Sequence, residues 1–163
     1  MTAVCRRVSQ QGFTFIELMM TLAIMGVLAM LAVPTAQVAV KRQQEYELRA
    51  ALIQIREAID AYKRAAEQGR IMMKIGDSGY PPSLNVLVDG VVDQRSPTRQ
   101  RLYFLRRLPA DPFNAGQAIR PAESWGVRSY ASPPDAPSEG RDVFDVYSKS
   151  GGTGLNGVPY RAW

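Results

Sequence analysis

Hydrophobic positions dominate the start of the chain as one continuous run. Between residues 13 and 33 the only charged residue is Glu17. A helix of this length, at about 1.5 Å per residue, spans roughly 31 Å, which matches the hydrocarbon core of a bilayer. The run therefore predicts a membrane-spanning helix.

After Pro34 the apolar positions become periodic. They recur at spacings of three and four while charged residues mostly take the other faces, which predicts an amphipathic helix. These positions are Leu48, Leu52, Ile55, Ile59, Tyr62 and Ala66. Pro34 lacks a backbone donor and clashes with the preceding turn, so a kink or a local interruption is expected there. One helical stem is predicted from about residue 13 to residue 68, with Gly69 as its stop.

Two short helices are expected beyond the stem. Ser83 is the candidate N-cap of the first, over residues 84–89, because its hydroxyl can accept a bond from a first-turn amide. The second is expected over residues 99–106. The side chains expected to pack inward are Leu84, Leu87, Val88, Tyr103, Leu105 and Leu108.

The last third has the pattern of strands. Residues 125–131 and 142–148 predict two strands separated by a proline-rich loop, and hence a small antiparallel sheet. The expected fold class is α+β: a long N-terminal hydrophobic and amphipathic α-helical stem packed on a small C-terminal domain with short helices and this sheet.

Composition excludes several kinds of chemistry. The chain has no histidine and one cysteine, Cys5, which excludes histidine-dependent nucleophile systems and the usual zinc sites. Only oxygen ligands remain, and these suit calcium or magnesium. Asp142 and Asp145 are an odd number of residues apart, so they fall on opposite faces of a strand and make a poor acid–base pair. No enzymatic activity is expected.

The charge is mildly basic. The formal net charge of +5 falls by two, to +3, if Arg6 and Arg7 are removed. Arginines 95, 99, 101, 106 and 107 have no acidic residue between them. A solvated helix face is favoured over a patch for an acidic partner or a nucleic acid, so no nucleic-acid partner is expected.

Glu17 distinguishes the apolar run from ordinary apolar segments. A secretory signal would be shorter and would not contain this carboxylate. A plain membrane anchor would carry it at a cost on the order of a few kcal/mol unless it were neutral or paired. A buried core helix of this length exceeds what a chain of this size can enclose. Glu17 therefore needs a partner.

The stretch Gly12-Phe13-Thr14-Phe15-Ile16-Glu17 follows a basic leader and opens the run that Pro34 ends. It resembles the prepilin cleavage and methylation motif of type IV pilins and type II secretion pseudopilins. The resemblance implies that a membrane prepilin peptidase cuts after Gly12 and methylates the new amine of Phe13. It also implies that Glu17 pairs with the Phe13 amine of a neighbouring subunit during assembly. An ammonium partner would offset the desolvation of this carboxylate in lipid.

The resemblance implies four parts. Residues 1–12 would be a leader peptide cleaved after Gly12, and residues 13–33 the transmembrane part of the stem. Residues 34–68 would be the amphipathic part of the stem, and residues 69–163 a periplasmic globular pseudopilin domain. The protein would cross the bacterial inner membrane once, with its N-terminus cytoplasmic and its C-terminal domain periplasmic, before joining a periplasmic filament.

The C-terminal part resembles the major pseudopilin of type II secretion in its Leu-Pro-Ala-Asp-Pro-Phe element at residues 108–113, its glycine-rich loop and its final Trp163. Many such proteins bind calcium in that loop through several aspartates. No carboxylate follows Asp145 here. Ser148 and Asn156 remain only as weak side-chain candidates, so no metal cofactor is expected.

The resemblance implies a structural subunit that polymerises through its N-terminal helix and drives protein export across the outer membrane. Its expected partners are further copies of itself, other pseudopilins, the prepilin peptidase and the inner-membrane assembly platform. A type IV pilin or a competence (DNA-uptake) pilin is the alternative, because these share the first 34 residues. Surface pilins commonly carry a C-terminal disulfide, which a single cysteine cannot form. A generic membrane-anchored binding protein would not need the Gly12–Phe13 junction.

Overall fold

The computed structural model describes residues 12–114, 116 and 120–163. Its first element, helix α1, covers Phe15–Glu67 and has 53 residues. The chain divides into two units, the first ending at Val40 and the second covering Lys41–Trp163. The described part of the first unit carries the apolar part of α1, and the second unit is a domain that includes the amphipathic part.

The end of α1 confirms the predicted stop. Gly69 has a φ of 69°, a left-handed conformation that glycine adopts without steric cost. Its N–H donates to the oxygen of Ala66 at 2.9 Å, and the N–H of Arg70 donates to the oxygen of Ala65 at 3.0 Å. This pair of bonds is a Schellman motif, which satisfies the last carbonyls of the helix.

Helix α1 continues through Pro34. The local interruption expected there is therefore wrong. The helix tolerates the residue because only one backbone hydrogen bond is lost at a position where many others hold the turns on either side. The kink expected at Pro34 stays a prediction.

Helix α2 covers Asn85–Asp89, and its N-cap is Leu84, with no side-chain capping bond. The predicted Ser83 cap is wrong because the helix begins one residue later than the cap would require. Leu84 and Leu87 are buried as predicted, whereas Val88 is half-buried and packs against the core.

Where a second helix was expected, the chain forms a two-stranded hairpin. Strand β1, Val91–Val92, pairs antiparallel with β2, Arg101–Leu102. The helix predicted over residues 99–106 is wrong because the backbone turns back on itself. Arg99 has a φ of 51°, which no right-handed helix contains.

The side chains near this hairpin differ in burial. Leu105 is buried as predicted, and Leu108 is half-buried against the core. Tyr103 is 65% exposed, so its predicted packing is wrong. The arginines at 95, 99, 101, 106 and 107 are exposed, but on a hairpin and the segment after it, so the helix face expected for them does not exist.

The second sheet contains both strands predicted in the last third, in shorter form. A short helix α3, Pro121–Ser124, leads into β3, Trp125–Arg128, which pairs antiparallel with β4, Asp145–Ser148. Beyond Arg128 the main-chain donors have other partners: the N–H of Ser129 donates to the oxygen of Ser138 at 3.0 Å, and the N–H of Tyr130 donates to the Asp142 carboxylate at 3.0 Å. A 3₁₀ helix, Tyr160–Ala162, follows near the C-terminus.

One hydrophobic core lies inside the second unit. The amphipathic face of α1 forms much of it, which confirms that this half of the stem packs on its own domain. Its members from α1 include Leu48, Leu52, Ile55, Ile59, Tyr62 and Ala66. Trp125 of β3 is 1% exposed, and its Nε1 donates to the oxygen of Pro109 at 2.8 Å.

A partly buried ion pair links the segment after α1 to the first hairpin. The guanidinium of Arg70 donates to Asp93 Oδ2 through Nη2 at 2.6 Å and through Nε at 3.0 Å. The N–H of Arg95 donates to Asp93 Oδ1 at 3.0 Å. The hydrogen bonds from Arg70, and then that of Arg95, hold the pKa of Asp93 below its ordinary value of 3.8.

Replacement of Asp93 by Asn is expected to destabilise the protein at neutral pH. A carboxyl whose pKa is lowered by folding contributes stability above its unfolded pKa and loses it as the pH falls through the folded pKa. Wild type and D93N should therefore differ most above pH 3.8 and converge in more acidic solution. Urea unfolding in detergent at several pH values measures this. Glu57→Gln, at an exposed position of α1, is the control, and a D93N deficit that persists unchanged in acid would contradict the assignment.

Candidate processing and assembly site

The segment before α1 is open to solvent. Gly12, Phe13 and Thr14 lie outside the helix and are exposed, and Phe13 is 79% exposed. A Cβ added at Gly12 would have no described heavy atom within 4 Å. The described structure could therefore accommodate a side chain at this position without a steric clash. A requirement for it would come from whatever binds the Gly12–Phe13 bond.

Thr14 caps the beginning of α1. Its Oγ1 accepts a hydrogen bond from the N–H of Glu17 at 3.3 Å, and its main-chain oxygen accepts one from the N–H of Leu18 at 3.1 Å. Threonine followed three residues later by glutamate is the sequence pattern of a capping box. Sequence reasoning missed this role for Thr14, although that pattern was the signal that would have shown it.

The carboxylate of Glu17 lies in the first turn of α1, where the helix dipole favours negative charge. Glu17 is exposed, and it forms no ion pair with any residue in the described part of the chain. Glu17 therefore lies four residues after Phe13, at the same end of an apolar helix. This arrangement suits a contact made with another molecule.

The apolar part of α1 is exposed along its described length. None of the described residues in its most apolar stretch is buried. Large apolar side chains on every side of the helix are exposed, among them Phe15, Ile16, Leu22, Met25, Leu28 and Met30. A helix apolar all round is suited to a membrane or to packing among other helices. By length and composition it can cross a bilayer.

The structure separates the two weak metal candidates. Ser148 is fully buried on β4, and its hydroxyl donates to Asp111 Oδ2 at 2.5 Å. Asn156 is exposed, and its Oδ1 accepts from the N–H of Val158 at 3.0 Å. Within residues 12–114, 116 and 120–163, no group of three or more acidic, histidine or cysteine side chains is arranged to hold a metal ion.

Side chains of α1 bind the glycine-rich segment that contains Asn156. Lys41 and Glu45 contact main-chain groups of Thr153 and Leu155, respectively. Sequence reasoning missed both residues. Their partners lie more than a hundred residues away in the chain and contribute backbone atoms, so no residue pattern marks the contact.

Comparison with known proteins agrees with the N-terminal geometry. Residues 7–33 match the family described as the prokaryotic N-terminal methylation motif. This match covers Gly12, Phe13 and Glu17. No solved structure matches the chain.

Curated relatives match over most of the chain. The type II secretion system core protein G of Klebsiella michiganensis is 28% identical over 135 residues, covering 80% of this chain and 87% of the relative. The protein of the same description from Dickeya chrysanthemi is 26% identical over 153 residues, covering 91% and 93%. The type IV major fimbrial protein FimA of Dichelobacter nodosus is 36% identical over 113 residues, covering 65% and 68%.

A capped apolar helix with an N-terminal methylation motif, continuing into a small α+β domain, defines a pilin-like subunit. The chain belongs to the family of type IV pilins and type II secretion pseudopilins, and within it resembles core protein G, the major pseudopilin.

Proposed function

We propose that this protein is a structural subunit of a type II secretion pseudopilus. It polymerises through its N-terminal helix, and growth of the filament drives folded proteins across the outer membrane. The observation that carries the proposal is the joint occurrence of the methylation motif with similarity to core protein G over most of the chain. The subunit performs no chemistry itself.

The N-terminal motif supports one order of events. The basic leader stays in the cytoplasm while the apolar part of α1 crosses the inner membrane and the domain folds in the periplasm. Prepilin peptidase cuts after Gly12 and methylates the amine of Phe13. The processed subunit then enters a filament of its own copies and other pseudopilins at the inner-membrane assembly platform.

Replacement of Gly12 by Val is expected to stop processing without disturbing the fold. The described surroundings leave room for a side chain at this position, so the effect would arise in the peptidase, where a Cβ blocks close approach to the scissile bond. Coexpression with prepilin peptidase and intact-mass measurement test this. Wild type should lose residues 1–12, whereas G12V should keep them. Gly26→Val, also at an open position, is the matched control, and processing of G12V at the wild-type level would contradict the prediction.

A type IV pilin or a DNA-uptake pilin is the second candidate, favoured by the 36% identity to the fimbrial protein. Deletion of the gene separates the two. Loss of exoprotein activity from the medium, with surface pili and DNA uptake intact, supports the secretion subunit. Loss of pili or uptake with normal secretion would overturn it.

We propose that the domain works without calcium. The glycine-rich segment contains no carboxylate, Ser148 is engaged by Asp111, and the main-chain oxygen of Thr153 already accepts from the Lys41 ammonium. Hard-cation sites need several oxygen ligands free to converge. Calorimetric titration of the protein in detergent should show no calcium binding in the sub-millimolar range, and clear binding there would refute this.

A further inference from the structure

The last fifteen residues, 149–163, form a closed segment that we call the C-terminal strap. The N–H of Gly154 donates to the oxygen of Val158 at 2.9 Å, and the N–H of Tyr160 donates to the oxygen of Gly152 at 3.1 Å. A Cβ at Gly154 would lie 2.6 Å from the Trp163 ring. The strap thus has its own hydrogen bonds and its own close packing.

Two charged side chains of α1 hold main-chain groups of the strap. Lys41 Nζ donates to the oxygen of Thr153 at 2.7 Å. Glu45 Oε1 accepts from the N–H of Leu155 at 2.7 Å and from the Tyr160 hydroxyl at 2.9 Å. Residues four apart lie on the same face of a helix. The Lys41 ammonium, which binds a main-chain oxygen of the strap, therefore lies on the same face as the Glu45 carboxylate, which binds a main-chain N–H.

Among the described residues, the hydrogen bonds of these two side chains go to the strap. In the described part of the chain, neither Lys41 nor Glu45 has a hydrogen bond or an ion pair to any other segment. Arg56 is different: its Nη2 donates to the oxygen of Trp163 at 2.8 Å, but its Nε also pairs with Asp145 of β4 at 2.8 Å. Arg56 therefore belongs to the sheet as much as to the strap.

Apolar anchoring of the strap is limited to its aromatic end. Tyr160 is 2% exposed and stacks on Phe113 with ring centroids 4.2 Å apart, while Leu155 is 45% exposed. A segment with four glycines and few buried side chains gains much conformational entropy on release. Segments of this kind open at a lower free energy than the core of their domain.

We propose that Lys41 and Glu45 form a latch that keeps the strap closed without a bound metal ion, and that the strap opens as one unit when the latch is removed. The positively charged Lys41 ammonium binds the Thr153 oxygen, as a metal cation binds a loop carbonyl in other proteins. Hydrogen bonds to charged groups are the stronger kind, and Lys41 and Glu45 make three of them to the strap. The latch is a property of the isolated protein and stands whether or not the proposed function holds.

Amide hydrogen exchange of the full chain in detergent micelles, followed by mass spectrometry, tests the latch. Lys41→Met and Glu45→Ala are the test variants. Arg42→Met and Glu47→Ala are matched controls, because both residues are exposed neighbours on α1 and the Glu47 carboxylate accepts a hydrogen bond from Gln43 of the same helix.

Exchange in peptides of residues 149–163 is expected to accelerate on the order of tenfold in K41M and in E45A, with no change in peptides of β3 and in neither control. Unchanged strap exchange in both variants would overturn the proposal, since aromatic packing alone would then hold the strap. Equal acceleration in β3 would also overturn it, because the strap would not be a separate unit. Slower strap exchange of the wild type on addition of calcium would refute the metal-free latch.

Discussion

Replacement of Glu17 by Ala is expected to leave the protein inserted and processed but to reduce filament yield roughly tenfold or more. The apolar part of α1 is exposed on all sides in the described structure, and Glu17 has no ion pair there. In a filament this carboxylate would be surrounded by apolar helices, where the Phe13 amine of a neighbour would be its partner. Leaving one charge of a desolvated pair unpaired costs on the order of 3–5 kcal/mol.

Three measurements on the same cells check the Glu17 prediction: membrane fractionation for insertion, intact mass for cleavage, and sheared filament yield for assembly. Thr21→Val is the matched control, because Thr21 lies one turn further along α1 and its hydroxyl donates to the oxygen of Leu18 in the same helix. Normal filament yield from E17A would exclude the assembly role. Failure of E17A to insert would show that the residue acts before assembly.

Replacement of Trp125 by Ala is expected to destabilise the domain by roughly 3–5 kcal/mol. Trp125 is almost completely buried at the start of β3 and is the largest side chain of the core. Its removal leaves a cavity and also deprives the partly buried oxygen of Pro109 of its Nε1 donor. Domains of this size are stable by about 5–15 kcal/mol, so W125A is expected to lose a large share of the total.

Urea unfolding of the full chain in detergent, followed by circular dichroism, measures the Trp125 effect. Tyr46→Ala is the matched aromatic control, because Tyr46 is 73% exposed on α1 and its loss should change stability by about 0.5 kcal/mol or less. Similar midpoints for W125A and Y46A would mean that Trp125 does not anchor the core.

Local patterns predicted the stem correctly because a helix depends on residues near one another. The spacing of Leu48, Leu52 and Ile55 determined which face is buried, and Gly69 ends the helix through its own left-handed backbone. The same reasoning failed over residues 99–106. Arginine and leucine favour a helix there, but β1 offers a hairpin partner, and Arg99 takes a left-handed turn to reach it.

The burial of single side chains also depended on distant contacts. Tyr103 is aromatic like a core residue but is 65% exposed, whereas its neighbour Leu102 on β2 packs against the core. Ser83 has the character of a cap, yet α2 begins one residue too late to use it.

The sequence by itself determined the candidate processing and assembly site, because Gly12, Phe13 and Glu17 lie within six consecutive residues and their relation follows from the start of one helix. Only the tertiary structure decided how the C-terminal strap is held. Lys41 and Glu45 reach Thr153 and Leu155 across more than a hundred residues and bind their main-chain atoms. Every residue has main-chain atoms, so no pattern of residue types predicts that contact. The two segments come together only when the chain folds.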